Sequence, residues 1–339
     1  MKLSDFDYTL PTHLIAQTPS LKRDESRLMV VNKNTQKIYH QTFNDILEFI
    51  PPDSVLVLND TKVFNSRLFG YKKTGARIEM FLLKQIDQTK WSCLLRPAKR
   101  VAVGDSIMVS ESFSATVLAK EPEIILNFKF NGNFFDLLDT YGEPPLPPYI
   151  KPSNPNEFKD RYQTVYANQS GSVAAPTAGL HFSKTLLNQI KSAGIPTEYI
   201  TLHVGYGTFN TVTSASINDH TMHAESYSIT PDTAKRLQSY HQEGKTFVCV
   251  GTTSTRTIES AFMNFHGFLP GKFESDLFIY PGYSFKRVNS IVTNFHLPKS
   301  TLFMLVSAFA GLTLIKKAYK EAVDNNYRFY SFGDAMFLL

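Results

Sequence analysis

The chain has 339 residues, of which 42% are hydrophobic and 19% charged, with a formal net charge of +5. That length exceeds what a single core usually fills, so two domains are expected, and the apolar fraction excludes a disordered chain. Its two cysteines, Cys93 and Cys249, are far apart in apolar strand-like runs, which excludes a disulfide framework and points to reduced core thiols in a cytoplasmic protein.

The opening MKLSDFDYTLPTHLIAQ carries Asp5 and Asp7 and no unbroken apolar run, so neither a signal nor a transit peptide is expected. A strand at 29–32 and a helix around 43–49 follow. A buried strand at 54–59 then ends in the polar cap Asn59-Asp60-Thr61, a place for a site residue. From 69 to 130 the texture changes to short runs (RIEMFLL, KWSCLLR, DSIMVS, SATVLAK, IILNFKF) separated by turn residues, the spacing of a small antiparallel barrel or sandwich without a helix.

Between residues 62 and 100 ten basic side chains stand against Glu79 and Asp87, a local charge of +8 that leaves −3 for the rest. Such an excess suits a phosphate backbone, Lys72, Lys73, Arg96, Lys99 and Arg100 being its candidate contacts; a solvated basic face is the plainer reading. The run GEPPLPP at 142–148 favours a stiff polyproline II exit from the β-region. The expected architecture is therefore an α/β main domain, discontinuous over 1–65 and 150–339, with a small antiparallel β-barrel domain inserted at 66–149.

Past residue 150, helix and strand patterns alternate. Ser183 caps a helix to 192, stopped by Gly194 and Pro196, and a buried strand at 199–204 runs into Gly205-Tyr206-Gly207. This is no dinucleotide fingerprint, because Asn210 stands where the third glycine belongs. A helix around 231–243 precedes a strand at 246–250, the turn Gly251-Thr252-Thr253-Ser254-Thr255 and a helix opening at Arg256. A strand at 290–295 leads through His296-Leu297-Pro298 to a further helix near Ser300, and the apolar stretch 302–315 reads as one buried helix, too short to span a bilayer. Such strand-to-helix turns gather at the carboxyl edge of one sheet, where α/β proteins bind ligands.

Four segments at or near those turns carry candidate chemistry. The hydroxyls and N–H groups of 251–255, with Arg256 for a bidentate pair, suit a carboxylate or phosphate; simple capping with a surface arginine explains them equally. No P-loop is present. His220, His223 and Glu225 have the chemistry of acids, bases or metal ligands, but no cysteine or further carboxylate sits at ligand spacing, so no metal is expected. Thr177 and His181 lie in the loop AAPTAGLHF, and His296 lies where a buried histidine bonded to a carbonyl is the alternative. Five of the nine histidines fall in these turns, which favours acid/base work.

The strings AAPTAGLHF (174–182), LHVGYGTF (202–209), DHTMHAE (219–225), VGTTSTRTIES (250–260), VTNFHLPKSTLFMLVSAFAG (292–311) and YRFYSFGDAMF (327–337), together with LIAQTPSLKRDESRL, LVLNDTKVFNSRLFG and PLPPYIK, closely resemble the S-adenosylmethionine:tRNA ribosyltransferase-isomerase family of queuosine biosynthesis, end to end. The resemblance implies transfer and isomerisation of the ribosyl part of S-adenosylmethionine onto 7-aminomethyl-7-deazaguanine at a tRNA wobble position. It implies epoxyqueuosine-tRNA, adenine and methionine as products, no metal and no cofactor, S-adenosylmethionine being consumed. On that basis His203 or the pair His220 and His223 removes the proton beside the sulfonium, His296 protonates adenine or holds its edge, and Glu225 orients a histidine. Thr252, Thr253, Ser254 and Arg256 take the methionine carboxylate; Gly205, Gly207 and Thr208 pack on the ribose; Thr177, His181 and Asn294 complete the substrate-binding turns. A cytoplasmic monomer without membrane contact is expected. Competing readings are an S-adenosylmethionine-dependent RNA methyltransferase, whose glycine-rich loop and following acidic residue are missing, and a non-catalytic RNA-binding module, which leaves the histidine-bearing turns without purpose.

Overall fold

The computed structural model describes residues 1–205 and 217–339. In chain order the regular elements are β1 (Arg27–Asn32), β2 (Lys37–Thr42), β3 (Ser54–Asn59), β4 (Thr61–Val63), β5 (Arg67–Lys72), β6 (Arg77–Gln85), β7 (Lys90–Arg96), β8 (Ser106–Ser110), β9 (Phe113–Ala119), β10 (Ile124–Lys129) and α1 (Phe134–Tyr141). Then come β11 (Gln169–Ser172), α2 (Lys184–Ser192), β12 (Thr197–Leu202), β13 (Glu225–Ile229), α3 (Pro231–Gln242), β14 (Thr246–Val250), α4 (Gly251–Phe265), β15 (Gly271–Ser275), β16 (Ser290–Asn294), α5 (Thr301–Ala310), α6 (Leu312–Asp324) and β17 (Ala335–Leu338). The chain divides into two compact units, Met1–Thr61 with Thr164–Gln169 and Pro176–Leu339, and Lys62–Gln163 with Ser170–Ala175.

The first unit is α/β. Its nine-stranded sheet has the order β15-β13-β12-β3-β14-β16-β17-β1-β2. β12, β3, β14 and β16 run parallel at the centre, and the outer strands add antiparallel pairs. Every residue of β3, β16 and β17 is buried, the signature of strands covered on both faces. On one face Leu56, Leu58, Val248, Val250 and Val292 pack with Leu186 and Ile190 of α2 and with Phe43 and Phe182. Helix α4 lies against β3, β12, β14 and β16, and no α4 residue belongs to that cluster, so it covers the other face. From β3 the chain passes into β4 and the barrel strands and returns through α2 to β12, whereas from β12 it passes through β13 to α3, which packs on β12. The carboxyl ends of β3 and β12 therefore open onto a crevice where neighbouring connections diverge.

The second unit is a closed antiparallel barrel of order β10-β7-β6-β5-β8-β9. Alternation builds it: in β9, Phe113, Ala115 and Val117 point into the core while Leu118 is exposed. The unit is wider than the expected 66–149, taking in residues on both sides of it: Phe64 meets Trp91 at 5.4 Å, and Ile150, Tyr162 and Val173 are buried. Asn133 caps α1 by accepting from the N–H groups of Phe135 and Asp136, and Phe134 stacks on Trp91 at 5.4 Å and meets Phe128 at 5.0 Å. The proline-rich run is not a free connector either. Pro144, Pro145, Leu146 and Pro147 are buried within this unit, where Glu143 exchanges backbone hydrogen bonds with Arg67.

Two local expectations also change. The 302–315 stretch is broken at Gly311, whose φ of 87° ends α5 and starts α6, with 116° between the two axes. No single helix among the described residues is long and apolar enough to cross a membrane. Helix α4 opens at Gly251 rather than at Arg256, so Thr252, Thr253 and Ser254 sit in its first turn. Cys93 and Cys249 are both free and buried, as expected.

The last strand, β17, joins the two halves of the sheet by pairing with both β16 and β1. Truncating its fully buried Phe337 to alanine is expected to cost about 3–5 kcal/mol through lost transfer energy and a residual cavity, measured as a lower urea midpoint at unchanged m-value.

Candidate active site

Asn59, the last residue of β3, has a buried amide that bridges to β12: its Nδ2 donates to the Leu202 carbonyl at 3.0 Å, and its Oδ1 accepts from the N–H groups of Leu202 at 3.0 Å and Thr61 at 3.1 Å. This clamp sets Asp60 and Thr61 beside Thr201 and His203. Thr201 Oγ1 donates to Asp60 Oδ1 at 2.6 Å, and Thr61 Oγ1 meets His203 Nδ1 at 2.8 Å. Burial raises the Asp60 carboxyl above the usual carboxylate range against the Thr201 hydrogen bond, and burial lowers His203 below the usual histidine value against the pull of Asp60. His203 is therefore neutral at pH 7, as a base must be. Asp60 lines a cavity of about 970 Å³ with Tyr166, Tyr199, Thr201 and Lys272. The sequence marked 59–61 as a polar cap where a site residue could sit and Tyr199 and Thr201 only as part of a buried strand, and it gave no sign of Tyr166 or Lys272.

A second, smaller cavity of about 90 Å³ brings together Gly205, His220, His223, Glu225 and Arg256 against Leu302 and Leu305 of α5. Here the expected roles need correction. Arg256 is buried and forms an ion pair with Glu225, while its Nε and Nη2 donate to the carbonyls of Leu277 at 3.0 Å and Ser275 at 3.2 Å. Glu225 also accepts from the Gly205 N–H at 3.3 Å. The guanidinium is thus engaged by the protein rather than held ready for a substrate carboxylate, and Glu225 carries this ion pair. Removing one partner of such a pair leaves an uncompensated buried charge, at a cost of about 3–5 kcal/mol. His220 packs edge-on to Phe278 and burial lowers its pKa; His223 is exposed.

A third group is interior. His181 meets Ser26 Oγ at 2.6 Å and the Asn294 amide at 3.2 Å, and stacks on Phe43. His296 meets Thr293 Oγ1 at 2.8 Å, its N–H donates to the Tyr319 hydroxyl and its carbonyl accepts from Tyr8. Burial drives both imidazoles down to about 3. His296 lines neither cavity, and a group that stays neutral near pH 7 has no proton to give adenine, so its role as acid is withdrawn in favour of the buried, bonded alternative. Thr177 opens a 3-10 turn to His181. Thr252 is half-buried, and the hydroxyls of Thr253 and Ser254 and the carbonyl oxygen of the Asn294 side chain are buried with no hydrogen-bond partner among the described residues.

Gly207 and Thr208 lie outside the described residues. Among the described residues no three histidine, cysteine or carboxylate side chains form a metal-binding group. Of the basic candidates, Lys72 is tied to Asp105 at 2.5 Å and to the Arg100 carbonyl at 2.8 Å, so it is not a free cation for phosphate; Lys73, Arg96, Lys99 and Arg100 are exposed.

The two interior histidines make stability depend on pH. Each folded pKa lies near 3 against about 6.5 in the unfolded chain, so as pH falls below 6.5 the unfolded state takes up the extra proton and stability is lost, by up to about 1.4 kcal/mol per pH unit per histidine. Urea titrations of a His296→Gln variant between pH 7 and 4 should show a shallower loss than the unsubstituted protein, about half of the slope due to this pair; parallel curves would mean that His296 is already charged in the fold.

With this geometry in hand, kinship can be placed on it. A family model described as "Queuosine biosynthesis protein" matches residues 3–338. The S-adenosylmethionine:tRNA ribosyltransferase-isomerases of Staphylococcus epidermidis and Halothermothrix orenii are 48% and 47% identical over 343 residues, covering all of both chains. The crystal structure of the S-adenosylmethionine tRNA ribosyltransferase of Thermotoga maritima superposes with a TM-score of 0.55 at 35% identity, over 99% of this chain and 100% of that one. A match that runs through both compact units and through every strand end bearing a candidate residue leaves one assignment: the chain belongs to the queuosine biosynthesis protein family.

Proposed function

We propose that this protein is an S-adenosylmethionine:tRNA ribosyltransferase-isomerase, which moves and isomerises the ribosyl moiety of S-adenosylmethionine onto 7-aminomethyl-7-deazaguanine at the wobble position of tRNA, giving epoxyqueuosine-tRNA, adenine and methionine. S-adenosylmethionine is consumed as a substrate, and the reaction takes no cofactor. The observation that carries the reading is the crevice at the ends of β3 and β12, where a neutral His203 stands beside Asp60. Its neighbouring cavity is of a size that suits a nucleoside, whereas the cavity of about 90 Å³ at Glu225 is not.

The chemistry asks for a base at the carbon beside the sulfonium and a neutral amine as acceptor. His203 is our first choice for the base. In the tautomer whose Nδ1–H donates to Thr61 Oγ1, Nε2 carries the one basic lone pair of a ring that is unprotonated at pH 7. In a single turnover with competent tRNA, His203→Ala should release adenine roughly a hundred- to ten-thousandfold more slowly; a near-normal rate removes His203 and moves attention to His220 and His223. Chromatography of the same reaction separates the alternatives, since S-adenosylhomocysteine in place of adenine and methionine would mark a methyltransferase.

For the tRNA we assign the exposed basic side chains of the barrel. Replacing Lys73, Arg96, Lys99 and Arg100 by serine should weaken binding and reduce the slope of log affinity against log salt by roughly 0.7–0.9 for each phosphate no longer neutralised. Replacing Lys72 alone should leave that slope unchanged, because its ammonium is already neutralised by Asp105. An unaltered slope in the fourfold variant would place the tRNA on another face.

A further inference from the structure

The buried carboxylates of the α/β unit differ in one respect. Glu198 receives two hydrogen bonds from the Arg236 guanidinium at 2.7 and 2.8 Å, Glu225 pairs with Arg256, and Asp334 pairs with Arg328 at 3.3 Å. Glu259 is held by the N–H groups of Lys286, Arg287 and Val288 at 2.7–2.9 Å and by the Tyr283 hydroxyl at 2.8 Å. Asp60, only 8% exposed, has a threonine hydroxyl and the Asn168 side chain and, among the described residues, no lysine or arginine paired to it. A buried carboxylate is normally compensated by a cation or by several donors. After Thr201, Asn168 and its own backbone N–H, about one acceptor site of Asp60 remains, and it is the one carboxylate of the five that lines the large cavity.

The surroundings fit a positively charged organic group. The rings of Tyr166 and Tyr199, 5.7 Å apart, line the same cavity, and the face of a phenol ring attracts ammonium and sulfonium centres. The segment that carries Tyr166 is fixed on Asp60 itself, whose carbonyl accepts from the N–H groups of Asn168 at 2.8 Å and Gln169 at 3.2 Å. Gly179 makes room for the Tyr166 hydroxyl, since a Cβ there would come within 2.0 Å of it. Lys272 lines the cavity too, exposed and without an ion pair to Asp60.

We propose that Asp60, with Tyr166 and Tyr199, forms a subsite for an organic cation, and that the missing counter-ion of Asp60 is supplied by a substrate. The proposal rests on the ribosyltransferase reading, in which the donor carries a sulfonium and an ammonium and the acceptor base carries an aminomethyl group. Asp60 contributes binding and placement of that charge; the neighbouring His203 remains the base.

Two matched sets of ligands identify the source. For the donor these are S-adenosylmethionine, S-adenosylhomocysteine, which keeps the ammonium and lacks the sulfonium, and 5′-methylthioadenosine, which lacks both. For the acceptor they are tRNA bearing the aminomethyl base and the same tRNA with guanine there. In the unsubstituted protein the cationic member of one set should bind about tenfold or more tighter than its neutral counterpart, and in Asp60→Asn that ratio should fall to about one while the neutral member binds as before. Tyr199→Leu, at a partly exposed position, should reduce the same ratio, and thermal melts of both variants report whether they fold. An Asp60→Asn protein that keeps its ratio in both sets, or an unsubstituted protein with no preference in either, overturns the subsite. The ribosyltransferase reading fails separately, if the unsubstituted protein releases no adenine with competent tRNA.

Discussion

The side-chain amide of Asn59 fixes the geometry of the candidate site. At the end of β3, where strand pairing runs out, it supplies the hydrogen bonds that a further backbone rung would have supplied, and so holds the end of β12 in register. Each bond is to a buried backbone group whose loss would leave an unsatisfied donor or acceptor. The polar residues just beyond, Asp60 and Thr61 on one chain segment and Thr201 and His203 on the other, face each other as a consequence. A few hydrogen bonds thus convert a topological opening in the sheet into a defined constellation.

Burial then sorts the histidines. His181 and His296 lie so deep that desolvation outweighs everything else, and they remain neutral hydrogen-bonding parts of the interior. His203 is only partly withdrawn from water and feels Asp60, which opposes the desolvation. The same residue type therefore serves as a structural group at one strand end and as a candidate base at another. Position relative to water and to one carboxylate makes the difference.

Charge is distributed by the same logic. Arg256 and Glu225 neutralise each other across the small cavity and brace α4 against β13, and Lys72 and Asp105 do so on the barrel. Residues that read as binding groups in the sequence are here committed to structure. Asp60 is the reverse case: unremarkable in a string of letters, it is the buried acid that the fold leaves short of positive charge.

Much of the architecture was legible because it follows from local periodicity. Unbroken apolar runs such as 54–59 announce buried parallel strands, and the short alternating runs of 69–130 announce a barrel, since pleat and helix pitch act over a few residues. Helix α1 went unread because it is short and its Phe134 is explained only by the barrel's Trp91 and Phe128, and the break at Gly311 was hidden in a continuous apolar stretch. The motifs also pointed to the sheet edge at which the candidate residues lie. What the letters left open was which histidine stays neutral in the interior, which arginine is already paired and which carboxylate lacks a partner. Glu225 and Arg256 are 31 residues apart, and Asp60 and Thr201 are 141 apart. Protonation and pairing are set by neighbours brought in from such distances, so tertiary structure alone decided them.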